Sequence, residues 1–423
     1  MNSIEIIGKI NNGGFDGYFK KLYNNVNDAR RRYISAVEEY VNKYGDADNL
    51  RLFSAPGRTE IGGNHTDHQH GCVLAGSVDL DVIAVVSRND TGIIKVQSLG
   101  FDEDCIVADD LEKNEYEIGH APALIRGVSA AFIKNGHKSG GFNAYTTSKV
   151  MKGSGLSSSA AFEVLIATII NVLYNDEKIS PVDIAKYSQF AEREYFGKPC
   201  GLLDQMACAS GGFTYADFNE PTNPIVENIS VDIGEFGYTL CVVDTKGDHT
   251  DLTQDYADIT LEMRSISNQL GVNFLRDADA EKFYNELPRL KGVCTDRAIL
   301  RAFHFFNEQE RVLLQKKAII DGDFEDFLRL VNESGESSYK YLQNLYSTSA
   351  PKIQGLSLAI ALTKKFIGNS GACRVHGGGF AGTIQCYIPT EKFAEYKAMI
   401  DSIYGDGSCI ELFIRPVGGV EIL

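Results

Sequence analysis

The run Gly153-Ser154-Gly155-Leu156-Ser157-Ser158-Ser159-Ala160, with the apolar stretch that follows it to Tyr174, decides how the rest of the chain is read. Small residues let a backbone curl closely round a ligand. Successive N–H groups then point into the curl, and the N-terminus of the following helix adds partial positive charge, so the segment reads as a phosphate cradle. The serine hydroxyls add hydrogen-bond partners, and one of them is a candidate Mg²⁺ ligand. No Lys-Ser/Thr pair follows the last glycine, so this is not a Walker A loop. The plainer reading of the same string is a serine N-cap behind a flexible loop.

Ahead of it stands a second block, Ala55-Pro56-Gly57-Arg58 and then Gly62-Gly63-Asn64-His65-Thr66-Asp67-His68. It packs Arg, Asn, His and Asp into a glycine-bearing turn. Such a mixture of donors and acceptors suits a hydroxyl-rich substrate, because each sugar OH both donates and accepts. A metal site is the rival reading, but the spacing of His65, His68 and His70 matches no zinc pattern. Near the end, Gly371-Ala372-Cys373-Arg374-Val375-His376-Gly377-Gly378-Gly379-Phe380-Ala381-Gly382 places glycines beside a strand, which means either close backbone approach to a ligand or a glycine-rich hairpin. Between these lie Glu192, late in an amphipathic helix, and Pro199-Cys200-Gly201-Leu202-Leu203-Asp204-Gln205. Asp204 there is either a structural cap or a pocket carboxylate with a perturbed pKa.

Outward from the motifs, strands and helices mix without a strict βαβ alternation, which indicates an α+β fold. Helices are expected over Phe15–Tyr44, Pro122–Asn135, Pro181–Phe196, Leu252–Leu270, Asp296–Ile320 and Phe324–Glu333. Strands are expected over Arg51–Ser54, Val73–Ser87, Phe142–Ser148, Leu240–Asp244, Cys373–Val375 and Gly382–Ile388. The chain has 423 residues, enough for two domains, and the turn-rich stretch Asn219–Asn223 is the expected boundary. This gives 1–218, with the sugar block and the phosphate loop, and 219–423.

With 43% hydrophobic and 23% charged residues the composition is globular, and the formal charge of −16 argues against nucleic acid or an anionic membrane as partner. Met1 to Gly14 shows no basic region followed by an apolar run, so no secretory leader is expected. The Ala160–Tyr174 stretch is interrupted by Glu163 and Asn171 and is too short to span a bilayer. Nine scattered cysteines without a C-x-x-C pair read as reduced thiols of a cytoplasmic protein.

Taken in order, these motifs resemble the GHMP kinase superfamily and, within it, the galactokinases. The first block is similar to the signature G-R-V-N-x-I-G-E-H-T-D-Y, the serine loop to G-G-G-L-S-S-S-A, and the late block to R-M-T-G-G-G-F-G-G. Arg301-Ala302-Phe303-His304 with Glu308 and Arg311 resembles the family's R-A-x-H…E…R helix, and Asn332-Glu333-Ser334 its M-N-E-S-H segment. The resemblance runs from about Arg51 to the C-terminus. It implies a two-domain GHMP kinase fold, with a ribosomal-protein-S5-like N-terminal domain and a ferredoxin-like C-terminal domain. The implied activity is ATP-dependent phosphorylation of the galactose 1-OH with Mg²⁺. Asp204 then matches the carboxylate acting on the 1-OH, and Arg58 the arginine beside it. Ser159 and Glu192 match the Mg²⁺ ligands, and Gly153, Ser154, Gly155, Leu156, Ser157, Ser158 and Ser159 the nucleotide loop. Asn64, His65, Asp67, Gly201 and Tyr256 match sugar contacts.

Three departures stand out. Asn64 occupies the place of the signature Glu, Glu60 that of the signature Asn, and His68 that of the Tyr. The loss of charge at 64 brings N-acetylgalactosamine and L-arabinose in as alternative substrates. A sugar sensor without catalysis is the alternative from another class, opposed by the complete serine loop together with Asp204 and Arg58.

Overall fold

The computed structural model describes residues 1–150, 155–247 and 252–422. Its larger sheet is built around two long strands, β1 (Arg51–Gly62) and β2 (Cys72–Arg88), with β3 (Ile93–Ser98), β4 (Glu103–Val107), β5 (Phe142–Ser148), β6 (Phe213–Asp217) and β7 (Ile225–Ile229). A smaller sheet contains β8 (Tyr238–Asp244), β9 (Ala372–Val375), β10 (Thr383–Pro389) and β11 (Cys409–Leu412). Strand β12 (Val420–Ile422) returns to pair with β1, giving the order β12-β1-β2-β5-β3-β4, while the first half of β2 pairs β6 and β6 pairs β7.

Residues Val82–Val86 explain why this sheet carries helices on both faces. A strand covered on both sides is continuously apolar. Val82, Ala84 and Val86 point into the main core, beneath helices Ala121–Lys134, Ser158–Tyr174, Pro181–Phe190 and Leu203–Ser210. Ile83 and Val85 point the other way, onto Phe19, Tyr33, Val37 and Tyr40 of the N-terminal helices. Each buried valine or isoleucine among these is worth about 1.5–3 kcal/mol.

The smaller sheet has the order β11-β8-β10-β9, all antiparallel. With helices Gly355–Ile367 and Phe393–Tyr404 the chain order is βαββαβ, the ferredoxin-like arrangement. A helical segment that includes Thr253–Gln269, Asp296–Asp321 and Phe324–Ser337 is inserted after β8. No helix among the described residues is long and apolar enough to cross a membrane, and all nine cysteines are free thiols.

Several expectations are corrected. The helix expected over Phe15–Tyr44 is two helices, Asp16–Leu22 and Val26–Tyr44, because the Asn25 side chain caps the second by accepting from the Asp28 N–H at 3.0 Å. The strand expected to end at Ser54 continues to Gly62, with register shifts at Pro56/Arg58 and Glu60/Gly62 absorbing the proline and glycines. The helix expected to Phe196 ends at Phe190 and passes into a π-turn, Ala191–Phe196. The proline-bearing stretch Asn219–Asn223 is the turn of the β6–β7 hairpin, so the expected boundary falls inside the larger sheet.

Candidate active site

The site forms where β1, the serine loop and helix Leu203–Ser210 meet. Arg58 leaves β1 at a register shift, and its backbone N–H donates to Leu156 O at 3.0 Å, docking the strand against the loop. Gly57 permits this approach, since a Cβ there would lie 2.7 Å from the same carbonyl. The Arg58 guanidinium grips Asp204 Oδ1 through Nε at 2.7 Å and Nη2 at 2.6 Å, and its Nη1 donates to Gly155 O.

Ser157 has a left-handed backbone at the head of helix Ser158–Tyr174. Its hydroxyl does not cap the helix but donates to Asp204 Oδ2. The first intrahelical bond of this end is Ala161 N–H to Ser157 O at 3.1 Å, so the amides of Ser158, Ser159 and Ala160 stand at the helix N-terminus, where an anion is favoured. Gly155, Leu156, Ser157, Ser158 and Ser159 are thus brought to one place. Gly153 and Ser154 lie outside the described residues. Burial works against the Asp204 charge, but Arg58, the Ser157 hydroxyl and Lys198 outweigh it and hold the carboxyl below the usual carboxylate range.

Beside this pair lies an acidic pocket. Glu192, in the π-turn, accepts the Ser159 hydroxyl on Oε1 at 2.9 Å and the Lys198 ammonium on the same oxygen at 2.8 Å. Its Oε2 accepts from Gln205 Nε2 at 2.6 Å, and Gln205 also reaches Glu163 Oε2 at 3.2 Å. Glu163 is fully buried, and burial together with the Glu192 charge pushes its carboxyl well above the ordinary value. Glu163, Lys198 and Gln205 have no site role assigned from the sequence; the signals present are Gln205 directly following Asp204 and Glu163 interrupting an apolar helix.

Among the expected sugar contacts, Asp67 lies against Gly201, where a Cβ would come within 1.8 Å of its Oδ2; only glycine leaves the carboxylate in place. His65 Nε2–H donates to Gly378 O at 2.9 Å, and burial, followed by the neighbouring His68, lowers its pKa to about 3, so the ring is neutral. The Tyr256 hydroxyl donates to Gly379 O at 3.0 Å. The late glycine block therefore closes over the site from the smaller sheet. His376 extends this closure, accepting the Glu60 N–H on Nε2 at 3.2 Å and donating from Nδ1 to Thr383 Oγ1 at 2.9 Å.

Asn64, expected to meet the sugar, is held by protein partners on every side. It is fully buried, its Nδ2 donates to Glu60 Oε1 and to Gly377 O, both at 2.8 Å, and its Oδ1 accepts from Asn344 Nδ2 at 2.8 Å. Donors and acceptor are engaged within the protein, which makes Asn64 a tie between β1 and the late glycine loop. Nor do the histidines gather round a metal: His70 stacks on Phe274 at 3.6 Å, and the described residues hold no cluster of three or more metal-ligating side chains.

Two family models match the chain, the galactokinase galactose-binding signature over residues 38–88 and the GHMP kinases N terminal domain over 123–212. A galactokinase of Clostridium tetani is 27% identical over 384 residues, covering 90% of this chain and 92% of that protein. One of Lactobacillus helveticus is 29% identical over 382 residues, covering 87% and 94%. Among solved structures, the Lactococcus lactis galactokinase complexed with galactose superposes with a TM-score of 0.79 at 20% identity, over 92% of this chain and all (100%) of that one. Signature, N-terminal domain model and near full-length relatives agree: along nearly all of its length the chain is similar to the galactokinases of the GHMP kinase superfamily.

Proposed function

We propose that this protein phosphorylates the 1-OH of D-galactose with ATP, giving galactose 1-phosphate and ADP. The observation that carries the reading is Asp204, held ionised by Arg58 and Ser157 at the mouth of the helix N-terminus formed by Ser158–Ala160. The sugar 1-OH approaches Asp204, its oxygen bonds to the γ-phosphorus, and the bond from that phosphorus to the β–γ bridging oxygen breaks. The sugar proton leaves towards Asp204 late in the step, as suits a carboxylate of depressed pKa. Arg58 and the loop amides face the charge on the transferred group. Phosphoryl transfer of this kind is mostly positioning and charge stabilisation. Asp67, Gly201, His65 and Tyr256 are the proposed sugar contacts.

Ser159 and Glu192 fit a Mg²⁺ ion: a hydroxyl and a carboxylate oxygen 2.9 Å apart beside the phosphate cradle are the hard oxygen donors this ion prefers, with nucleotide oxygens and waters to complete its shell. When bound, the ion supplies charge neutralisation on the nucleotide phosphates. Ser159→Ala is expected to raise the Mg²⁺ concentration for half-maximal turnover about tenfold, the scale of losses when metal-site partners are removed. An unchanged Mg²⁺ titration removes Ser159 from the ligand set.

The function is tested by ADP release with MgATP over D-galactose, N-acetylgalactosamine, L-arabinose, D-fucose and D-glucose. D-galactose is expected to give the highest kcat/KM. Another sugar in first place overturns the substrate, and no ADP with any of them overturns the activity.

A further inference from the structure

Lys198 sits in the turn Gly197-Lys198-Pro199 that leaves the π-turn, outside every sequence motif described above. Its ammonium is 2.8 Å from Glu192 Oε1, the same oxygen that accepts the Ser159 hydroxyl. The two partners differ sharply in exposure, 54% for the Lys198 side chain and 1% for Glu192. Glu192 is also fixed from its other oxygen by Gln205 at 2.6 Å, so it keeps its place if the lysine leaves. The lysine charge extends to Asp204 as well. A long, half-exposed cation is thus parked on a buried carboxylate beside the phosphate cradle, with its charge felt at Asp204, on the oxygen proposed to ligate Mg²⁺. Ammonium and divalent cation repel at that range, so both cannot keep Glu192 Oε1.

We propose that Lys198 is a catalytic cation of the phosphoryl transfer: it guards Glu192 in the free enzyme and swings onto the nucleotide phosphates when the substrate complex forms. The inference rests on the kinase reading above. The four-carbon stem gives the reach, and a compact ammonium suits phosphate oxygens as a point charge. As the β–γ bridging oxygen parts from the γ-phosphorus, negative charge grows on the ADP side, and Lys198 neutralises it there.

Wild type, Lys198→Met and Lys198→Arg are compared by turnover and by calorimetric binding of ATP in Mg²⁺-free buffer. Lys198→Met is expected to lose about 10²-fold in kcat, the scale of a lost charge-stabilising group. Galactose KM should stay within about threefold and Mg²⁺-free ATP affinity should fall about tenfold, as expected when only a phosphate contact is lost. Lys198→Arg, which keeps the charge, recovers most of both. If Lys198 only neutralises Glu192, the methionine variant needs less Mg²⁺, reaches wild-type kcat at saturation and binds Mg²⁺-free ATP normally, and the proposal is overturned. Should methionine unfold the turn, Lys198→Gln, which retains a donor towards Glu192 without the charge, gives the same comparison. A wild type that releases no ADP defeats the kinase reading, while the calorimetric arm still decides whether Lys198 meets phosphate.

Discussion

Asp204→Asn is expected to lower kcat by about 10²–10⁴-fold, the range for loss of a positioned proton acceptor, with galactose affinity held within a few-fold. Asparagine keeps the shape and leaves an oxygen for Arg58, which now donates to Asp204 at 2.7 Å and 2.6 Å, so the loop–strand junction stays assembled. What disappears is the charge proposed to face the sugar hydroxyl. The expectation separates two effects: a group used only in the transition state lowers kcat, whereas a sugar-binding group raises KM. Single-turnover kinetics with galactose titration reads both, and normal turnover in the variant takes Asp204 out of the mechanism. The pH dependence adds a sign. The Asp204 pKa is depressed, so its carboxylate is fully present through neutral pH and is lost only as pH falls below the usual carboxylate range. An activity limb near neutrality would therefore belong to another group, such as Glu60, which burial pushes up to about 7 despite Arg374 and Arg58.

Much of this site was legible because phosphate binding leaves a local signature. Glycines and serines ahead of an apolar helix predict Ser157–Ser159 at a helix N-terminus without any tertiary information. The contacts that tune the site are of another kind. Lys198 is one lysine among many in sequence, and only the π-turn brings it back onto Glu192. That turn has no propensity of its own, so the periodicity of Pro181–Phe196 reads as one unbroken helix. β12 is three residues long, and its pairing with β1 joins positions far apart in the chain. The departures at 60 and 64 show the same limit. In sequence they are two separate losses from the galactokinase signature. In space they are one exchange, an amide and a carboxylate 2.8 Å apart, with Arg374 2.7 Å from the carboxylate in its new place. Local charge is preserved, and the argument from residue 64 towards a different sugar loses its footing.

The largest effect on stability is expected from Asp81, at the junction between the N-terminal helices and the sheet that carries Arg58. Asp81 is fully buried. One oxygen takes Arg32 from helix Val26–Tyr44, and the other takes the Tyr23 hydroxyl at 2.6 Å and the Ser54 hydroxyl, with Arg415 at 3.5 Å. Arg415 also donates to Ser54 Oγ at 2.7 Å. One carboxylate thus satisfies two guanidiniums and two hydroxyls drawn from both ends of the chain. Replacing it with apolar groups throughout would be nearly neutral, but removing Asp81 alone leaves buried cations uncompensated, and Asp81→Ala is expected to cost about 3–5 kcal/mol. Burial raises the Asp81 pKa, yet Arg32, Arg415 and the two hydroxyls together carry it below the ordinary value. A depressed folded-state pKa gives stability that is complete above the unfolded pKa and is lost as pH falls through the folded one. The gap in urea midpoint between wild type and Asp81→Asn should therefore be widest at neutral pH and narrow on acidification. A gap that is absent at neutral pH, or that widens towards acid, would mean that the apolar contacts of Phe19, Tyr33, Val37 and Tyr40 alone hold the N-terminal helices to β1 and β2, with the ion cluster contributing nothing.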